Sequence, residues 1–246
     1  QGDVQAVFDA VQAYRAHHPV DALLLTYLGH FLLKMDQPAL ALKFFRQAVQ
    51  ADASDTAALA GLLRAARAQG DRGTGEQVMA QIEGVAAPTA SLLCEAGLFR
   101  QRFPQPGVRP KDIFEQALTV DPDHVPSLES LAHIETNTGK DTAGDSDAAQ
   151  PYYDRALALA PDHAQLHLNY ALYKLRRAEL AEGWHHYEYR LDPALGQSKV
   201  AHYHRRFPGW SGAPLVGKRV LVLPEQGIGD EVMFGMHLPR LMQEAE

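Results

Sequence analysis

The sequence predicts an all-α protein built from successive helix pairs, followed by a short β-α piece near residue 246. Two repeated patterns support this prediction. An aromatic residue followed three positions later by alanine, close to a helix end, occurs at Phe45–Ala48, Phe114–Ala117 and Tyr153–Ala156. A leucine stripe with helical spacing lies upstream, and Leu25 and Leu28 recur 34 residues later as Leu59 and Leu62. Spacings of three and four residues place such a stripe on one face of a helix.

These patterns predict five helix pairs in order along the chain. The pairs are expected near 21–51, 55–84, 88–120, 124–160 and 163–191, after a single helix near 3–17. Pro122 and Pro161 each follow the patterned alanine by five residues. Proline there ends one helix and allows the next to begin.

A 34-residue helix–turn–helix unit of this kind resembles the tetratricopeptide repeat (TPR) family. The helices would cross closely at the small residues Gly29, Ala132 and Ala171, whereas Gly75 and Gly183 stand where the family usually has alanine. The resemblance covers about residues 2–191. It implies an α-solenoid, a right-handed superhelix whose concave groove takes a peptide or a partner protein.

Helical geometry predicts which side chains line that groove. From the first pair these are Leu23, Thr26, His30, Leu33 and Lys34, and from the last pair Gln165, Leu168, Leu172 and Arg176. Asn169 lies where some family members carry an asparagine ladder, but Tyr27, Gly61 and Ser130 are its counterparts, so no ladder is predicted. Lys34 and Arg176 would favour an acidic partner.

Composition and charge exclude several classes of protein. The 246 residues carry 23 basic and 30 acidic side chains, a net charge of −7, which disfavours nucleic-acid binding. The single cysteine, Cys94, forms no internal disulfide, and no leader is evident, which favours the reducing cytoplasm. No apolar run is long enough to predict a membrane span. Because the chain begins with Gln1, we expect it to be a piece of a longer protein.

The residues after 191 differ in character. Residues 192–218 are rich in proline and glycine and are interpreted as a linker, and residues 219–246 as the start of a second domain. There, a predicted strand at Arg219–Leu223 is followed by a glycine turn and a helical pattern, the opening of a Rossmann-like unit. Glu225, Gln226, Gly227 and Gly229 would form an anion-binding loop. Asp230 suits either a general base or a helix cap, and spacing leaves both open.

Two segments carry a second resemblance. GWHHYEYRL at 183–191 and RRFPGWSGAPLVGKRVLVLPEQGIGDEVMF at 205–234 resemble the junction of bacterial proteins that join TPRs to a heptosyltransferase-like GT-B glycosyltransferase domain. The resemblance implies that Asp230 is the catalytic base, that a nucleotide sugar is the donor, and that no metal takes part. One strand and one helix cannot form a donor pocket, so this chain by itself is expected to be non-catalytic and to bind no cofactor.

Two functions therefore remain open. The chain is the acceptor-recognition region of a glycosyltransferase that modifies a protein or surface polymer, or it is a pure scaffold for protein complex assembly. An exposed strand edge in the tail predicts a homodimer, and residues 205–210 are expected to cap the pair at 163–191. His185, His186, His202 and His204 lie near the junction without a cysteine pair, so no metal site is predicted.

Overall fold

The computed structural model describes residues 21–138, 147–195, 210, 213–222, 232 and 235–245. The chain divides into two compact units between Leu159 and Ala160. The first four predicted pairs, up to Leu159, belong to the first unit, and the fifth pair belongs to the second. The predicted domain limits at 191 and 218 stay predictions.

The described part of the first unit is a succession of antiparallel helix pairs. Its helices are α1 Ala22–Lys34, α2 Pro38–Ala51, α3 Thr56–Gln69, α4 Arg72–Ile82, α5 Ala90–Arg102, α6 Pro110–Val120, α7 Val125–Thr138 and α8 Gln150–Leu159. A 3-10 turn, Asp147–Ala149, precedes α8. The first helices of the pairs, α1, α3, α5 and α7, contact one another in succession. They form one layer, and the second helices pack behind it, as the repeat pattern predicts.

Local side chains determine where these helices begin. The Asp55 carboxylate accepts hydrogen bonds from the Ala57 and Ala58 N–H groups at 2.9 and 3.1 Å, and so caps α3. Side chains cap other helices in the same way: Asp21 for α1, Asp71 for α4 and Thr89 for α5. Each cap supplies an acceptor to a backbone N–H group that has no partner within the helix. Pro38 and Pro110 occupy first helical positions, where no N–H bond is lost.

Large aromatic rings pack where glycine removes a side chain. The fully buried Phe45 ring of α2 lies against Gly29 of α1, where an added Cβ would come within 2.6 Å of it, and also against Gly61 of α3. The Phe114 ring lies against Gly97 in the same way, at 2.5 Å. Such contacts let the helix axes approach closely, and they bury rings that each remove a large apolar area from water.

The second unit contains the fifth predicted pair. Its helices are α9 Ala164–Arg176 and α10 Leu180–Tyr187, followed by 3-10 turns at Glu188–Leu191 and Pro193–Leu195. The pair crosses at Gly183, where a Cβ would come within 2.7 Å of the Leu175 side chain. Ala171 is fully buried, as its predicted crossing position requires. A further helix, α11, spans Leu238–Ala245.

The C-terminal β-α piece differs from its prediction. Within the described residues 213–222 no strand is formed, and Val220, Leu221 and Val222 are each 44–58% exposed. A strand needs a neighbour to pair its N–H and C=O groups, and the described part of the chain supplies none here. α11 lies within the segment expected to be helical after the glycine loop, but the predicted β-α unit is not formed in the described residues. Trp210, expected to cap the last pair, is 58% exposed and donates its indole N–H to the Ala213 carbonyl at 2.7 Å.

Candidate partner-binding face

One side of α1 carries large side chains that no helix covers within the described residues. Leu23 and Tyr27 are 59% and 66% exposed, Lys34 is exposed, and His30 is half-buried. These residues are spaced by four, three and four positions, so they lie along one face of the helix. Leu33 is half-buried beside them. The first pair thus presents a stripe of three exposed residues, Leu23, Tyr27 and Lys34, with the half-buried His30 among them, which we name the α1 stripe.

Thr26, expected to line the same groove, instead points into the protein. It is 4% exposed, and its hydroxyl donates to the Asp55 carboxylate at 3.3 Å, which ties α1 to the start of α3. The side chain that is exposed at this point of α1 is that of the next residue, Tyr27. The helical period fixes a face only to within about one residue, and packing against α3 decides which side chain is covered.

A buried carboxylate lies on the next helices of the layer. Glu95 of α5 is 4% exposed, and the Arg64 and Arg67 guanidinium groups of α3 reach its oxygens at 2.6 and 3.3 Å. A buried charge of this kind is tolerated because both partners are charged donors. Two guanidinium groups against one carboxylate leave one positive charge in excess. Arg64 keeps its side chain 48% exposed, so that charge is presented to solvent.

His30 connects the α1 stripe to this cluster. Its ring meets the Phe45 ring edge-on, with centroids 5.1 Å apart. Burial lowers the pKa of His30, and the positive charges of Arg64 and Lys34 act in the same direction, against Glu95 and Asp55. His30 is therefore neutral at pH 7, and the fixed positive charges of this face are Lys34 and the arginines.

The predicted residues of the last pair lie in the second unit. Leu172 is 49% exposed, and Arg176 is also exposed. Gln165, Leu168 and Asn169 are half-buried, and the Gln165 amide donates to the Asn169 side-chain oxygen at 3.0 Å. The structure therefore presents two separate sets of candidate contacts, one in each unit.

The proposed anion loop lies outside the described residues. Glu225, Gln226, Gly227, Gly229 and Asp230 all fall in that part of the chain. Their roles stay predictions, as does the homodimer through the tail.

Metal binding and thiol chemistry are the two other possibilities within the described ranges. No group of three or more His, Cys, Asp or Glu side chains lies there where it could hold a metal ion, and His202 and His204 are outside those ranges. Cys94 is buried, and burial raises the pKa of its thiol to about 11. The thiol is therefore protonated at neutral pH, which fits a core residue rather than a nucleophile.

Among the same residues, no helix has both the length and the apolar character needed to cross a bilayer.

Sequence reasoning missed two polar clusters, Arg64–Arg67–Glu95 and a His167–His186 contact between α9 and α10. For the second there was a usable signal. His167 occupies the stripe position that leucine fills in the other pairs, and a polar residue there needs a hydrogen-bonding partner. For Glu95 no local pattern distinguishes it from an exposed helix glutamate.

Comparison with known proteins supports the repeat assignment. The model of the tetratricopeptide repeat family matches residues 25–55 and 130–163. Protein FlbA of Caulobacter vibrioides is 28% identical over 253 residues, which cover 98% of this chain and 40% of FlbA. The chain thus spans two fifths of the length of that curated relative.

Solved structures show the same fold at low sequence identity. TTC0263, a thermophilic TPR protein of Thermus thermophilus, aligns with a TM-score of 0.60 at 18% identity, over 76% of this chain and 96% of that one. PilF of Pseudomonas aeruginosa aligns with a TM-score of 0.55 at 17% identity, over 68% of this chain and 74% of its own. The chain therefore contains tetratricopeptide repeats, and its paired helices have the fold of TPR proteins.

Proposed function

We propose that the first unit is a protein-interaction module that binds an acidic, partly apolar peptide segment of a partner protein. The observation that carries this proposal is the α1 stripe, in which two large side chains, Leu23 and Tyr27, and Lys34 are exposed on one helix face. Arrays of TPRs are typical of protein-interaction scaffolds, whose first helices form the binding surface.

The chemistry of the face defines the partner. Leu23 and Tyr27 offer apolar area, of the kind that anchors a peptide side chain and excludes water. Lys34 and the excess charge of the Arg64–Arg67–Glu95 cluster favour carboxylates on the ligand. Since the chain as a whole has a net charge of −7, long-range attraction would not favour an acidic partner. Its preference must come from these local groups.

Lys34→Glu is expected to weaken binding of an acidic probe about tenfold at 20 mM salt, with a smaller effect at 500 mM salt because ions screen the interaction. Fluorescence anisotropy with two labelled peptides measures this. One peptide alternates leucine with glutamate, and the other alternates leucine with lysine. The Lys43→Glu variant is the matched control, because Lys43 is an exposed lysine on α2.

Tyr27→Ala should weaken the binding of both peptides, since it removes apolar contact area rather than charge. Equal affinity of the parent protein for the two peptides would contradict the acidic preference. An effect of Lys43→Glu as large as that of Lys34→Glu would show that net charge, and not the α1 stripe, determines binding.

We further propose that this module recognises the acceptor of a glycosyltransferase, a protein or surface polymer that receives a sugar from a nucleotide sugar. This proposal rests on the resemblance of residues 205–234 to TPR–glycosyltransferase junctions. The alternative is a scaffold with no enzymatic role. Sequencing the gene beyond the codon for Glu246 separates the two, because only the first requires the remainder of a GT-B domain.

If such a domain follows, Asp230→Asn should lower sugar transfer at least a hundredfold, about 2.7 kcal/mol at the transition state, while donor binding is kept. The substitution preserves the shape of the side chain but removes its basic charge. Transfer of a radiolabelled sugar measures turnover, and donor titration by calorimetry is the control. Near-parent turnover with intact donor binding would assign Asp230 to helix capping.

A further inference from the structure

Arg64 of α3 meets Glu95 of α5 through one edge of its guanidinium group. The Nε and Nη2 atoms of Arg64 each lie 2.6 Å from the same oxygen, Oε1 of Glu95. A guanidinium is planar and carries five N–H donors in a fixed fork, so it can bind one carboxylate through this edge and another through its end, formed by Nη1 and Nη2. The end of the Arg64 fork is therefore directed away from Glu95, and 48% of the side chain is exposed.

Glu95 is itself held from two sides. Its second oxygen, Oε2, accepts a hydrogen bond from Nη2 of Arg67 at 3.3 Å. The residue is only 4% exposed, so the protein and not water forms most of its surroundings. A buried carboxylate that uses both oxygens has little freedom to rotate, and it gives Arg64 a fixed anchor.

Without this anchor Arg64 would be mobile. Arg64 and Arg67 lie three positions apart on one face of α3, where like charges repel each other. The arginine side chain is long, and ordering it at the moment of binding costs conformational entropy. Since Glu95 already holds the guanidinium, most of that entropy is lost before a ligand arrives.

We infer that Glu95 is a positioning residue, which directs the end of the Arg64 fork toward the peptide-binding face so that Arg64 selects a carboxylate of the ligand. The inference rests on the proposed binding of an acidic peptide, and it names the side chain that recognises the acid. Arg64 binds a carboxylate through two parallel N–H···O hydrogen bonds, whereas Lys34 supplies only a point charge. Glu95 contacts no ligand atom and acts through Arg64.

The surroundings of His30 place this recognition beside the α1 stripe. Burial lowers the pKa of His30, and the positive charges of Arg64 and then Lys34 lower it further, against Glu95 and Asp55. Both cationic groups are thus close enough to act on one ring of the stripe. A ligand carboxylate beside His30 lies between two positive charges, of which only Arg64 offers a planar pair of donors.

The first test is the state of Arg64 in the ligand-free protein. In ¹H–¹⁵N spectra of arginine side chains, the Arg64 Nε–H signal should be separated from those of exposed arginines and should exchange slowly with water, because its hydrogen is bonded to Glu95. The signal is assigned by its loss in Arg64→Lys. Glu95→Gln should move it into the group of exposed arginines. An Arg64 signal already in that group in the parent protein would overturn the inference.

The second test is a double-mutant cycle on binding, measured by anisotropy with the leucine–glutamate and leucine–lysine peptides. Arg64→Lys keeps the charge but removes the fork, so it should weaken binding of the leucine–glutamate peptide about tenfold and leave the leucine–lysine peptide within about twofold. In the Glu95→Gln background, the same exchange should weaken binding by less than about threefold, because the fork is no longer held. Equal effects in both backgrounds would overturn the positioning role.

Glu76→Gln is the matched control for Glu95→Gln. Glu76 of α4 pairs with Arg100 through two contacts of 2.8 Å, so the control removes the same charge and breaks the same kind of ion pair in the same unit. It should leave both the Arg64 Nε–H signal and the effect of Arg64→Lys unchanged. An equal change in either with this control would assign the effect to net charge or lost stability, and would overturn the inference.

Failure of this inference is distinct from failure of the proposed function. A parent protein that binds both peptides equally contradicts the acidic preference, and the Nε–H signal then still decides whether Glu95 holds Arg64. A parent protein that prefers the leucine–glutamate peptide but is unaffected by Arg64→Lys overturns only the inference. Circular dichroism shows whether each variant folds, and if Glu95→Gln does not fold, the effect of Arg64→Lys and the parent Nε–H signal still decide the outcome.

Discussion

Phe45→Ala is expected to lower the free energy of unfolding of the first unit by about 3–5 kcal/mol. The ring is fully buried and lies between Gly29 of α1 and Gly61 of α3, with the His30 ring against it. Since neither glycine has a side chain that could fill the space, alanine would leave a cavity at the junction of three helices. Urea unfolding followed by circular dichroism measures the loss.

The control for this substitution is Tyr27→Ala on the facing helix. Tyr27 is 66% exposed, so its removal should change the free energy of unfolding by no more than about 0.5 kcal/mol. The two variants therefore separate stability from binding, because Tyr27 belongs to the proposed peptide-binding stripe. Similar losses for both would mean that Tyr27 packs in the folded protein, and would contradict the proposed face.

Gly75→Ala is expected to destabilise the first unit by about 1–3 kcal/mol, although alanine is the better helix former. A Cβ at this position of α4 would overlap the Phe99 ring of α5, which is fully buried, so the ring or the helices would have to shift. Thermal or urea unfolding measures the change. Phe99→Leu in the same chain should recover part of it, because the smaller side chain vacates the overlapping volume.

Gly73→Ala is the matched control, two residues away on the same helix. The nearest atom to its added Cβ is an Asp71 carboxylate oxygen at 3.7 Å, an ordinary contact. Here alanine should be neutral or stabilise by up to about 1 kcal/mol, since it reduces the conformational freedom of the unfolded chain. If Gly75→Ala were also stabilising, the close approach of α4 to Phe99 would not be a feature of the folded protein.

Gly75 shows that a departure from a family pattern can be explained only by the packing of the folded protein. At the level of sequence it stands where alanine is usual, which suggests a weak repeat. In the folded protein the Phe99 ring occupies the space that an alanine methyl group at position 75 would need. The departure from the pattern at 75 and the aromatic at 99 compensate each other, and a single-sequence argument has no means of pairing two positions 24 residues apart.

The sequence by itself determined the helix pairs, their order and several crossing points. These depend on local information: apolar spacing within one helix, the aromatic–alanine pattern near helix ends, and prolines where one helix ends and the next begins. Gly29 was identified as a crossing position because a small residue on the apolar stripe has a direct steric meaning. The resemblance to TPRs extended this local information to a fold class, which the structure and the family match support.

Only the tertiary structure decided which polar side chains are buried and which of them pair across helices. It buried Thr26 and exposed Tyr27, although the two are adjacent on one helix. It also joined Glu95 to Arg64 and Arg67, and His167 to His186, across separate helices. Helical periodicity predicts the face of the helix on which a residue lies. The pairing of buried polar groups depends instead on the distances between helices, and the paired residues here are 19 to 31 positions apart in sequence. Burial strengthens these hydrogen bonds and ion pairs and makes an unpaired polar group costly in free energy. The packing of the helices, and not the local sequence pattern, therefore determines which polar side chains of each unit interact.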